Sequence, residues 1–174
     1  MSVQAAKLTA EKLIDRLGIR TAPIPVERIA EQLDLRIVFD DLGEDISGLL
    51  VARDGSASIA VRRSDAPTRK RFTIAHEIGH FVMRHHRQRN ELVHADPHEQ
   101  VIYRSPRASE GLDPIEIQAN QFAASLLMPA KLVRQHAERL GLPLTDGDVK
   151  TLAKSVFEVS EQAMTIRLNG LGLL

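Results

Sequence analysis

Arg71-Phe72-Thr73-Ile74-Ala75-His76-Glu77-Ile78-Gly79-His80-Phe81-Val82-Met83 decides how the rest of the chain is read. Its centre is His76-Glu77-x-x-His80, and the spacing has a mechanical meaning. Residues four apart on a helix lie one above the other, roughly 6 Å apart along the axis. Two imidazoles so placed can reach a single metal ion, each with a ring nitrogen about 2.0–2.1 Å from it. Glu77 is turned roughly 100° from His76 around the helix. It therefore stands beside the ion rather than capping it, where it can act on water. Asp65 and Pro67 supply a helix start, and no proline interrupts from Arg69 to Met83. The plain alternative is two ordinary helix histidines, one of them buried and hydrogen-bonded. The pair with Glu77 argues against it, and so does Gly79. A mid-helix glycine costs roughly 1 kcal/mol against alanine, so it predicts a close neighbour at that point.

His-Glu-x-x-His is the pattern of zinc metallopeptidases, and the composition is that of an ordinary compact globular domain. The 174 residues suit one domain with its own core, with 43% hydrophobic and 26% charged residues. Lys plus Arg equals Asp plus Glu at 23 each, so no global field draws nucleic acid or anionic lipid. The charged residues between Met1 and Arg20 break any signal-peptide core, and no apolar run is long enough to span a bilayer. Cysteine is absent, which predicts a cytoplasmic protein without disulfides. It also bears on the metal. Structural zinc sites are typically closed and cysteine-rich, whereas His and carboxylate with an open position mark the catalytic type.

Outward from this stretch, hydrophobic periodicity predicts helices over 3–17 and 26–33 and a strand over 35–39. Residues 47–53 and 56–62 read as two strands joined at Asp54-Gly55, a strong hairpin signal. A three-stranded sheet against the His-Glu-x-x-His helix is expected. The hairpin is scaffold, or else one of its strands is an edge that pairs with extended substrate. From 84 to 112 the chain is polar and reads as a long connection, with His85 and His86 prolonging the metal helix into solvent. His98 and Tyr103 are candidates for polarising a carbonyl, though packed or exposed loop residues are the simpler reading. Asp113-Pro114 caps a buried helix that Pro129 ends, and further helices are expected over 130–140, 146–156 and 160–168. The last two outline a helix-turn-helix. The balanced charges of 145–174 argue against direct DNA binding by it.

Two completions of the metal site compete. One takes a third histidine at His86, but needs a chain-turning glycine where Met83 stands. Without it the helix should run on and carry His86 away. The other takes a carboxylate from a second helix. Glu116 meets that requirement, since a carboxylate on so core-like an element needs a partner. Asn120, one turn later, is placed to hydrogen-bond a ligating histidine and fix its tautomer.

Phe72 to His80 together with Glu116-x-x-Ala119-Asn120-x-Phe122-Ala123-Ala124-x-Leu126-Leu127-Met128-Pro129 resembles the ImmA/IrrE family of metallo-endopeptidases. Ser47-Gly48 and Val159-Ser160-x-x-Ala163-Met164-x-x-Arg167-Leu168 fit as well, so the resemblance covers nearly the whole chain. It implies an α+β fold: a zincin-like core over 1–141, with a C-terminal helical, helix-turn-helix-like unit over 142–174 packed on it. It also implies zinc held by His76, His80 and Glu116, with Glu77 as the catalytic glutamate. The implied activity is zinc-dependent cleavage of a helix-turn-helix transcriptional repressor. The additional C-terminal sensor domain of longer members is not in these 174 residues. The competing expectation is a regulatory protein that binds a repressor or toxin without cutting it. Such a binder has no need of Glu77.

Overall fold

The computed structural model describes residues 2–44, 46–53, 56–85, 92–93, 99–102 and 113–174. Its elements run α1 (Val3–Arg16), α2 (Val26–Gln32), β1 (Leu35–Asp40), β2 (Gly48–Arg53), β3 (Ser56–Arg62), α3 (Pro67–Val82), β4 (Leu92–Val93), β5 (Glu99–Ile102), α4 (Pro114–Leu127) and α5 (Ala130–Leu140). Then come α6 (Asp146–Thr151), which runs straight into a π-helical stretch (Leu152–Phe157), and α7 (Glu161–Gly170). This is an α+β arrangement.

The sheet agrees with the hairpin prediction at its centre and exceeds it at one side. β2 and β3 pair antiparallel from Gly48↔Val61 to Arg53↔Ser56, and β1 lies parallel on the far side of β3. Alternation decides which face is inside: Ile59 and Val61 are fully buried, while Ser56 at the strand's start is exposed. The expected three strands are five among the described residues, in the order β1-β3-β2-β5-β4. The two extra strands come from the polar segment read as connection. Val93, Val101 and Ile102 are too few and too scattered to make a period-2 signal on their own. β5 pairs with β2 over Leu50–Arg53, so both hairpin strands are interior. That removes the expectation that one of them is a free edge. The hairpin turn at Asp54-Gly55 lies outside the described residues.

Helix α3 packs on α4 along one side and on β2 and β3 along another, and α1 packs on α4. Its start differs slightly from expectation: Ala66 is the N-cap, and Asp65 instead binds Arg62 at 2.8 Å. Helix α4 begins as the sequence predicts, with the Asp113 carboxylate accepting from the Ile115 amide at 2.9 Å and Pro114 in the first turn. Ala119, Phe122, Ala123, Leu126 and Leu127 make its inner face part of the main core. The closing helices add Val149, Leu152, Phe157, Met164 and Leu168 to that same cluster. Arg167 fastens them by donating from Nε to the Met128 carbonyl at 2.9 Å. Ser160 caps α7, accepting from the Ala163 amide as its position before the helix predicts.

The end of α3 departs from expectation. The helix does not carry His85 outward. It stops at Val82, Met83 closes it, and Arg84 adopts a left-handed φ of +57°. A non-glycine residue takes that conformation at a cost, so contacts beyond the helix have to hold the turn. The next residue, His85, is fully buried and supplies them.

Candidate metal centre

His76, Glu77 and His80 come from one buried stretch of α3, at 1%, 3% and 5% exposure, and Glu116 at 2% comes from the first turn of α4. So many polar side chains are not taken out of water without compensation. Glu116 supplies part of it. One carboxylate oxygen lies 3.1 Å from His76 Nε2 and the other 3.3 Å from His80 Nε2. The two Nε2 atoms are 2.8 Å apart.

The proton positions are set by the outer partners. His76 Nδ1 lies 2.8 Å from Asn120 Oδ1, an acceptor, so the ring proton belongs on Nδ1 and the Nε2 lone pair faces inward. His80 has its Nδ1 3.1 Å from His85 Nδ1, which likewise leaves Nε2 facing the centre. Lone pairs and carboxylate oxygens thus converge on one point, and only a positive species can hold them there. A tetrahedral ion bound at about 2.0–2.1 Å separates its donors by about 3.3 Å. The nitrogens lie 3.1 and 3.3 Å from the two carboxylate oxygens, near that spacing, and 2.8 Å from each other, tighter than it. His76, His80 and Glu116 could therefore hold a metal ion. The same arrangement governs the carboxyl of Glu116. Burial alone would raise its pKa, but with protons on the two Nε2 atoms in place of an ion, their hydrogen bonds and charge bring it well below the usual carboxylate range.

A family model described as the IrrE N-terminal-like domain of peptidase family M78 matches residues 30–169. The chain belongs to that family. The family is one of metallopeptidases, in keeping with the His, His and Glu donors. No curated protein matches this M78 chain. Among solved structures it resembles a Mycobacterium tuberculosis transcriptional regulator, with 20% identity and a TM-score of 0.62, over 97% of this chain and 47% of that one. The M78 chain thus spans about half the length of that solved chain, and the likeness is one of fold.

Two glycines explain how the M78 helix sits where it does. A Cβ on Gly79 would lie 2.9 Å from Phe122 Cδ1, so the close neighbour predicted there is the α4 ring. A Cβ on Gly48 would overlap the Thr73 methyl and come within 3.5 Å of Glu77 Oε1. Strand β2 therefore passes directly against the face of α3 that carries Glu77.

His85 is the residue the sequence reading missed. It is 1% exposed, and its ring stands edge-on to His80 with centroids 5.1 Å apart. Burial first, and the neighbouring His80 second, lower its pKa to about 4, against the raising influence of Gln118. A neutral His85 can accept the His80 Nδ1 proton. No local pattern announced this, because the left-handed turn at Arg84 carries no glycine or asparagine. The premise used against His86, that the helix must run on without a glycine at 83, fails for the same reason. His86, His98 and Tyr103 lie outside the described residues.

Proposed function

We propose that this chain is a zinc-dependent endopeptidase that cuts a helix-turn-helix transcriptional repressor. The observation that carries the reading is the bridge from Glu116 to both Nε2 atoms of His76 and His80, with Glu77 buried beside it. Zinc suits two imidazoles and a carboxylate without cysteine. When bound it supplies Lewis acidity, polarising a peptide carbonyl and making water acidic near neutral pH.

The chain's own residues do the rest. Asn120 fixes the His76 ring through its Nδ1 proton, and His85 accepts from His80 in the same manner. Glu77 takes a proton from the attacking water as the new C–O bond forms. It then returns that proton to the amine nitrogen as the C–N bond breaks. Strand β2 at Gly48 lies against the Glu77 carboxylate, which limits where the base can turn.

The repressor as substrate is supported by membership of the IrrE-like family and by residues 47–48 and 159–168, which also fit the ImmA/IrrE pattern. The test is incubation with the helix-turn-helix repressor encoded nearest to the gene, with zinc and with chelator, read by mass spectrometry. Zinc-dependent fragments that vanish with Glu77→Gln are expected. An intact repressor held in a stable complex would favour the non-cleaving binder instead.

A further inference from the structure

A groove of about 740 Å³ runs between α3, α4 and α7 and meets the metal centre at Phe72 and Asn120. Both residues touch the site already described. The Phe72 ring centroid is 6.1 Å from that of His76, and Asn120 holds His76 Nδ1. The floor is apolar, built from Phe72, Ala124, Leu127, Met128 and Ala163, and Ile166 stands at its mouth with 66% of its surface exposed. An isoleucine so open to water is ordinary alone, but here it borders a concave apolar surface.

The charges are sorted as well. Lys7, Arg69 and Arg167 line the groove, and no carboxylate does among its described lining residues. In a chain with 23 residues of each sign this is a local arrangement, not a reflection of net charge. Arg167 is braced on the Met128 carbonyl, and Arg69 lies over the Phe72 ring with Nη2 on Ser47 Oγ at 3.1 Å. Burial lowers the pKa of Arg167 most, with the opposite charge of Glu11 working against that shift and the like charge of Arg134 with it.

We infer that this groove docks a short apolar segment flanked by carboxylates, part of the polypeptide that the adjoining centre cuts. The inference rests on the hydrolase reading. An apolar floor with a cationic rim selects a peptide of that composition over a nucleic acid, which would call for more cations and for stacking aromatics than Phe72 alone supplies. Continuity through Phe72 and Asn120 places the docked segment on the Nδ1 side of the His76 ring, one imidazole away from the reacting centre. Anchoring there turns the approach of the scissile bond into an intramolecular event.

The test uses the full chain carrying Glu77→Gln, so that bound peptide is not consumed. Two fluorescein-labelled peptides are titrated by anisotropy: Asp-Glu-Leu-Ala-Ala-Leu-Glu-Asp, and the same apolar centre flanked by lysines. The acidic peptide should bind at least about tenfold more tightly, and the preference should shrink as salt rises. Lys7→Glu with Arg69→Glu should abolish or reverse it. Lys7→Glu alone should weaken it in the same direction, which guards against misfolding of the double variant. Equal binding of both peptides, or unchanged selectivity in these variants, overturns the inference. So does self-association of the chain that Ile166→Asp removes, since the groove would then be filled by a second copy. Cleavage is read separately with the unmodified residue at 77 and zinc. Selective binding with no peptide ever cut removes the hydrolase reading, whereas cleavage indifferent to the charge reversals removes the groove.

Discussion

Glu77 and Glu116 are both buried carboxylates, but their surroundings give them different work. Glu116 has an imidazole nitrogen at each oxygen, at 3.1 and 3.3 Å, and in the proposed function it is a donor to the cation between them. Glu77 instead lies against β2 at Gly48, off the convergence point. Glu77→Gln should therefore leave zinc stoichiometry unchanged while lowering peptide hydrolysis by about 10²–10⁴-fold, the usual range for a general base. Metal analysis and a cleavage assay on the same preparation check it, and lost zinc would place Glu77 among the ligands. The outer partners call for a different readout. Asn120→Ala and His85→Ala should each weaken zinc binding by about 10–100-fold, measured by competition with a chelating dye. His85→Ala is also expected to shift the nitrogen resonances of His80 in zinc-loaded protein, because the acceptor for its Nδ1 proton is gone. Unshifted resonances would make His85 a packing residue only.

At the scale of elements, the site exists because α3 is clamped between a helix and a strand. Gly79 admits the Phe122 ring of α4 on one side, and Gly48 of β2 admits Thr73 on the other. Gly79→Ala should gain about 1 kcal/mol of helix propensity and lose about 1–3 kcal/mol to overpacking against a ring that is fully buried. A net loss of stability in denaturant unfolding is the expected outcome, together with weaker zinc binding as α4 and Glu116 are pushed away. A stabilised variant with intact zinc affinity would show that Phe122 simply moves aside. The need for a close neighbour at Gly79 was legible in the sequence, since glycine mid-helix has a cost that something must justify. The identity of that neighbour was not. Nor was the turn at Arg84, where backbone strain is tolerated because His85 is anchored beside His80. Strands β4 and β5 were hidden for a related reason: they are two and four residues long, and pairing with β2 defines them more than their own pattern does.

Across the whole molecule, donors from α3 and α4 meet at one point, so an ion bound there ties the two helices together. Binding to the folded state alone stabilises it by RT ln(1 + [L]/Kd), about 4 kcal/mol when zinc is a thousandfold above Kd. For a chain of 174 residues that corresponds to a rise in Tm of about 8–16 °C over the chelated protein. Calorimetry with zinc and with chelator measures it. Glu116→Ala should remove most of the difference, and an unchanged difference would assign the stabilising ion to another site.

The sequence by itself determined the periodic elements, the caps at Asp113 and Ser160, the hairpin pairing, and the donor set of His76, His80 and Glu116 as a hypothesis about chemistry. Those features depend on residue type at short spacing, where one helix turn or one strand repeat fixes geometry. Only the tertiary structure decided that Glu116 reaches both imidazoles, that His85 folds back upon His80, that β5 covers β2, and that three cations from separate helices rim one apolar groove. Each of these joins segments distant in the chain, and their meeting is set by how buried surfaces pack, which no local pattern encodes.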